Sequence, residues 1–250
     1  LMQNIYSLMI SISSGRLVLL LWLILTGINI NKAYHIDDTF HLEAAKCISE
    51  HPLQPLSGLI NWENDLEPMY IQNQPPAFFY IIAVVQTVFG DGEIAMHLLL
   101  SVFTFLALLG FLKLCQLLEV KKERTILILF ALCPAFVVNQ NLMTDVPVLA
   151  IALGVIYFLI KGLQVNNIKF LLISTGLLSV GLMIKYSLLP LFIVILLVIL
   201  FSKKYTRFWI LLIPFAVLSL WSLWNIVEFD SIHLFNRPNS PFNWSRLIGF

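Results

Sequence analysis

The chain has 250 residues, of which 59% are hydrophobic and only 12% charged, with a formal net charge of +1. Mean hydropathy is +0.89. A soluble domain carries about a quarter charged residues, so this composition excludes an ordinary soluble protein and points to an all-α integral membrane protein; the near-zero net charge excludes a nucleic-acid partner.

Helices need about 20 apolar residues to cross a bilayer. Apolar runs of roughly that kind lie at 16–31, 94–118, 125–142, 146–163, 168–184, 187–202 and 208–226. The first has no small-residue cleavage site after it and is read as an anchoring span rather than a signal peptide. Pro134 and Pro214 are read as kinks within spans. Between the first two spans, residues 32–93 form one long loop with a helical stretch at 39–50 stopped by His51-Pro52 and with the aromatic residues Trp62 and Tyr70, and it reads as a folded cap on the membrane. A loop of that length is usually functional or disordered, and this one is not low-complexity. Its last part, "QPPAFFYIIAVVQTVFGDG" at 74–92, has an apolar core of only 77–89. Pro75-Pro76 mark its start and Gly90 its end. It is too short to span and reads as a helix on the membrane surface.

Charge placement tests this arrangement. With seven spans and the N-terminus inside, ten of the 15 basic residues lie on the inner face, Lys121, Lys122, Arg124, Lys203, Lys204 and Arg207 among them. Twelve of the 14 acids lie outside. Letting 77–89 span the bilayer with the same start leaves only four basic residues inside, and that arrangement fails. Eight spans with the N-terminus outside place 11 inside, so charge does not reject them. The seven-span arrangement is adopted because it gathers the unusual polar residues on one face.

Those residues are few. Asp37 and Asp38 sit in "YHIDDTFHLEAAKCISEHP", just after the first span. Asp38 suits the N-cap of a helix starting at Thr39. Asp37 is left over, and a carboxylate beside a second one at a membrane surface suits general-base work, because like charges raise one pKa. Asp145, in "NQNLMTDVPVLA", is the sole acid between Glu123 and Glu228; it reads as an N-cap, with Pro147 in the first turn, and equally as a substrate-holding or catalytic partner. Lys185, in "GLMIKYSLLP", is a lone cation between two spans. It reads either as snorkelling to headgroups or as a point charge for a phosphate. Arg237 and Arg246, in "HLFNRPNSPFNWSR", read as loop charges, with Arg237 kept as a substrate-binding candidate. The five histidines show no metal-ligand spacing on one helix face, and Cys47, Cys115 and Cys133 form no zinc or disulfide pattern. No metal site is read. The chain opens on Leu1 and stops at Phe250 inside a Pro/Asn/Ser/Trp stretch, so the expectation is a piece of a longer protein whose C-terminal part is missing.

The order of these features resembles the GT-C superfamily of polytopic glycosyltransferases, in its protein O-mannosyltransferase and aminoarabinose-transferase-like branches. The resemblance rests on an acidic pair after the first span and on "Q-P-P-x-x-x-Y" entering a surface helix that ends in "FG". It continues with an inner basic turn, "T-D-V-P" opening a span, and "M-I-K-Y" at a later outer turn. It implies an inverting enzyme that takes a sugar from a polyprenyl-phosphate carrier outside the cytoplasm and gives it to a lipid, glycan or protein acceptor. The family's catalytic acid corresponds to Asp37; its neighbour, often Glu, is Asp38 here. The acid opening a later span is Asp145, and the later lysine is Lys185. The position before Pro-Pro, often Lys, is Gln74, which weakens binding of the carrier phosphate through that residue. Asp37 would take the acceptor hydroxyl proton and Lys185 would offset leaving-group charge. No cofactor is required by these residues; a divalent metal, as in the oligosaccharyl transferases of the superfamily, would use Asp37 and Asp145 together.

The competing reading is a transporter or lipid-carrier flippase, which needs charged or broken helices at mid-membrane. The span interiors are almost free of ionisable groups, which favours the enzyme. A structural scaffold would leave the large acidic loop without a purpose.

Overall fold

A computed structural model describes residues 12–61, 65–72 and 74–235; Trp62 lies outside them. In chain order the helices are α1 (Ser14–Asn29), α2 (Ile36–Glu50), α3 (Ala77–Phe89), α4 (Glu93–Leu117), α5 (Glu123–Ala131), α6 (Pro134–Val138), α7 (Asp145–Gln164), α8 (Ile168–Leu182), α9 (Pro190–Phe201) and α10 (Leu212–Phe229). A short two-stranded sheet, β1 (Leu59–Asn61) antiparallel to β2 (Leu66–Pro68), lies in the first loop with Ile60 opposite Glu67. Among the described residues the fold is all-α apart from this hairpin. Among the described residues, three stretches are long and apolar enough to cross a membrane: Glu93–Leu117, Asp145–Gln164 and Tyr205–Phe229. Four further apolar helical stretches are shorter, at 10–17 residues.

Helix-end contacts define two ends of the bundle. At one end, Ser14 Oγ donates to Glu123 Oε1 over 2.7 Å, Arg207 bonds Asn166 and Lys204 bonds the Leu163 carbonyl. At the other, Lys32 Nζ reaches the Val138 carbonyl at 2.8 Å, Tyr34 N–H meets Glu93, and Ala77 N–H donates to the Met183 carbonyl at 2.9 Å. The first end carries the basic turns 121–124 and 203–207. The second carries the first loop.

Apolar side chains face outward on the long helices. Ile193, Leu197 and Phe201 of α9 and Phe215, Leu220, Leu223 and Val227 of α10 are all exposed. A helix apolar all round needs a non-aqueous surrounding, and lipid supplies it. α3 is different. Phe78, Phe79 and Ile82 are fully buried against Phe40, Ala44 and Ile48 of α2 and against Met96 of α4, while Val84, Val88 and Phe89 are exposed. Val85 is only partly buried. Each buried Phe or Ile contributes about 1.5–3 kcal/mol, which holds α2 and α3 together as one cap. Gly90 ends α3 at φ 80°, a backbone that an L side chain adopts only with strain.

Proline rewrites two of the predicted spans. Where one helix is predicted over 125–142, α5 stops and Cys133 turns extended at φ −59°, ψ 128° before α6 begins on Pro134. A residue preceding proline is pushed out of the α region, so the effect is a break rather than a kink. Gln140 then closes the gap: its amide donates to the Phe136 carbonyl and its Oε1 accepts from Thr104 Oγ1 at 2.7 Å. Near the other proline, a 3-10 segment Tyr205–Leu211 precedes α10, with Pro214 its third residue. The ring of a proline clashes with the carbonyl four residues back, so an α-helix does not run straight through from 205.

Candidate active site

α2 begins one turn earlier than the sequence suggests. His35 is the N-cap and Asp38 the third residue of the helix. Asp38 Oδ2 accepts from the His35 N–H at 2.7 Å, while the His35 ring accepts weakly from the Asp37 N–H at 3.4 Å. Asp38 is therefore not the N-cap of a helix from Thr39; it is the reciprocal half of a capping box. It is fully buried, and its Oδ1 has no partner. Burial raises its pKa, with the His35 N–H bond pulling the other way. Asp37 is the more open of the two: its side chain is partly exposed, with Oδ2 3.8 Å from His35 Nδ1.

One turn on, His41 faces inward and is buried. Its Nδ1 lies 2.9 Å from the Asp37 carbonyl and its Nε2 lies 3.1 Å from the Gln74 side chain. Burial lowers the His41 pKa, so the ring is neutral. The structure sets Gln74 Oε1 at Nε2; because the Nδ1–H of a neutral ring donates to the Asp37 carbonyl, Nε2 has no proton for that oxygen, so the amide is assigned flipped, with its NH₂ group donating to Nε2. Gln74 is thereby tied to the first turn of α2. Sequence spacing held this clue, since Asp37 and His41 stand four apart on one helix face.

Asp145 is the first residue of α7, and Thr144 precedes it as the cap. Lys185 lies just after α8, in extended backbone ahead of the short 3-10 turn Tyr186–Leu188. Lys185 Nζ donates to Asp145 Oδ1 at 2.7 Å. The predicted phosphate cation and the predicted second acid are thus one ion pair, with both side chains partly open to the surroundings. Asp145 also lines a cleft of about 280 Å³ with Phe130, Cys133, Phe136, Asn139 and Val146, in the space opened by the break before Pro134.

A second chain of hydrogen bonds fixes the Lys185 turn. Trp221 Nε1 donates to Tyr186 Oη at 2.8 Å, Tyr186 Oη lies 2.9 Å from His233 Nδ1, and His233 Nε2 lies 3.2 Å from the Gln72 carbonyl. His233 is fully buried, and desolvation lowers its pKa to about 4. A neutral ring completes the chain in one direction: Tyr186 O–H donates to Nδ1 and Nε2–H to Gln72. Nothing in the spacing of Tyr186, Trp221 and His233 marks them as partners.

So Gln74 is joined to the Asp37 carbonyl through His41, Ala77 is joined to Met183, Gln72 is joined to Tyr186 through His233, and Lys185 is joined to Asp145. All stand at one end of the bundle. The structure records no direct contact between the Asp37 carboxylate and the Lys185–Asp145 pair, and Arg237 and Arg246 lie outside the described residues. Among the described residues, no three His, Cys, Asp or Glu side chains gather as a metal-binding group.

No curated protein and no solved structure matches the chain significantly. A family-level match spans residues 73–227, which takes in Gln74, Asp145 and Lys185 and begins after Asp37 and Asp38. By that match, which covers more than half of the chain, it belongs to the dolichyl-phosphate-mannose-protein mannosyltransferase family, membrane glycosyltransferases that use polyprenyl-phosphate sugar donors.

Proposed function

We propose that the chain is an inverting glycosyltransferase that moves a sugar from a polyprenyl-phosphate carrier to an acceptor hydroxyl on a lipid, glycan or protein, on the extracytoplasmic face of the cell's inner or plasma membrane. The observation that carries this reading is the convergence of Asp37, Gln74 and the Lys185–Asp145 pair on one end of the bundle, away from the basic turns at the other end. By the positive-inside tendency, the basic turns face the cytoplasm and the site faces outward. The same contacts support a seven-span arrangement, in which α5 and α6 together make one crossing and α3 lies along the surface.

Each residue has a role suited to its surroundings. Asp37, partly exposed at the first turn of α2, accepts the proton of the acceptor hydroxyl as that oxygen attacks the anomeric carbon from the face opposite the phosphate. Asp38 shapes the turn that presents it. Lys185 has N–H donors left over after its bond to Asp145 and offsets charge developing on the departing phosphate. Asp145 aims the Lys185 amine. Gln74 lends the other N–H of its amide to the phosphate or sugar. No cofactor is given a step.

The test is transfer of labelled sugar from a polyprenyl-phosphate donor by purified full-length protein in detergent or nanodiscs. The proposal predicts transfer by the wild type and its loss in Asp37→Asn with an unchanged thermal melt. Undiminished transfer by Asp37→Asn would remove that residue from the chemistry.

A further inference from the structure

A second cavity lies between α4, α7 and α8, apart from the site above. It holds about 400 Å³, within the ~300–1,000 Å³ usual for ligand pockets, and its lining is almost wholly apolar. Phe103, Leu106 and Gly110 contribute from α4, Ala150 and Gly154 from α7, and Leu177 and Val180 from α8. Two glycines let the helices around it approach closely: a methyl group at Gly110 would meet Leu153 at 3.2 Å, and one at Gly154 would meet Leu177 at 3.1 Å.

The ends of the cavity are unlike. Toward the basic end of the bundle its lining includes Lys113 and Tyr157. Lys161 lies just beyond, bonded to the Tyr157 hydroxyl at 3.0 Å and 4.7 Å from the centre of the Phe170 ring. Lys113 is exposed, and its contact to Gln116 is a long 3.5 Å. From Phe103 to Lys113 is ten residues of helix, about 15 Å at 1.5 Å per residue. That equals half of the ~30 Å hydrocarbon core of a bilayer. An apolar slot one leaflet deep, with two lysines at its head, has the shape and charge of a site for one phospholipid.

We propose that this groove binds an anionic phospholipid from the leaflet at the basic end, with one acyl chain between α4, α7 and α8 and its phosphate against Lys113 and Lys161. The polyprenyl carrier is the wrong occupant. Its phosphate is assigned to Lys185, at the opposite end of the bundle, and the cations of the groove are at the other head. The inference rests on the membrane-spanning reading and, for the exclusion of the carrier, on the proposed assignment of the carrier phosphate to Lys185.

Native mass spectrometry of the purified full-length protein, with dioleoyl phosphatidylglycerol or dioleoyl phosphatidylcholine added, tests it. Phosphatidylglycerol is expected to bind in preference to phosphatidylcholine. Lys113→Gln should cut that preference about fivefold, the weight of one basic residue against an anionic lipid, without moving the lipid-free melting temperature. Leu106→Trp, at an exposed lining position, should reduce binding of both lipids by plugging the slot. Equal binding of the two lipids, or a preference untouched by Lys113→Gln, overturns the proposal. So does displacement of phosphatidylglycerol by a polyprenyl phosphate, which would make the groove part of the donor site instead. Sugar transfer is read separately, so equal binding of the two lipids leaves the proposed chemistry standing, whereas displacement by the carrier would also move the carrier phosphate away from Lys185.

Discussion

Lys185 and Asp145, 40 residues apart in sequence, meet at 2.7 Å across the ends of α8 and α7. The pair is too open for a large share in folding, since ion pairs of this exposure contribute about 0–1 kcal/mol. Its value lies in holding the amine in place. Lys185→Ala and Asp145→Asn should each leave the melting temperature within a few degrees of wild type while lowering transfer, and Lys185→Ala should raise the apparent KM for the donor. If Asp145 acts by aiming Lys185, the double variant should be no slower than Lys185→Ala alone, because the second loss removes an interaction already gone. Multiplying effects would give Asp145 a role of its own.

The two acids of α2 should separate cleanly. Asp37→Asn keeps the shape and removes the proton acceptor, and loss of a general base typically costs about 100- to 10,000-fold in rate. Asp38→Asn should be milder, since an amide oxygen still accepts from the His35 N–H. Asp38→Ala removes that bond and should cost about 1 kcal/mol of stability. Asp145→Asn should fall between the Asp37 and Asp38 amides in transfer rate. A dead Asp38→Asn beside an active Asp37→Asn would reverse the assignment.

What was legible in the sequence depended on distance along the chain. Local patterns read well: Pro76 and Gly90 bracket α3, and the apolar runs at 94–118 and 146–163 lie within a residue of α4 and α7. The candidate residues Gln74, Asp145 and Lys185 were found by resemblance or by being lone polar groups in apolar surroundings. What the sequence hid was pairing. The Lys185–Asp145 bond and the Tyr186–His233 chain join residues 40 and 47 apart, and no periodicity encodes them. The start of α2 was missed because His35 replaced the expected Ser, Thr, Asp or Asn as N-cap. The break at Cys133 was underestimated because an apolar run hides a change of backbone angle.

Cysteine chemistry gives an independent reading of topology. Cys47 is partly buried in the first-loop cap, Cys115 is buried near the basic end, and Cys133 is exposed at the break between α5 and α6. An impermeant thiol reagent added to intact cells should reach Cys47 and not Cys115. Burial raises the Cys47 pKa, with Glu50 adding to it, and the thiolate is the reacting form. Labelling should therefore be slow at pH 7 and speed up toward pH 9. Cys133 should react with a membrane-permeant maleimide in preference to an impermeant one. Labelling of Cys47 only after the cytoplasmic face is opened would support eight spans and place the acidic pair inside.

Stability should fall in mild acid, and His233 should account for much of the fall. Its ring is buried and neutral, with a pKa lowered from the ordinary 6.5 to about 4 by loss of water, opposed in part by the bond to Gln72. Below about 6.5 the unfolded chain takes up a proton that the folded ring refuses. The unfolded state then binds more protons, so stability is full above that pH and drains away as pH falls toward 4. His41, also lowered by burial, works in the same direction. Asp38 works against them: its pKa is raised in the fold, so its share of stability is present at low pH and lost as pH rises past its ordinary 3.8. The lowering of His233 to about 4 sets the expected sign between pH 7.5 and 5. Melting temperatures across it should decline for the wild type. His233→Gln should melt lower at pH 7.5, having disturbed the chain from Trp221 to Gln72, yet decline less steeply. A slope identical to wild type would mean that His233 does not carry the acid sensitivity and that its ring is not held neutral by the fold.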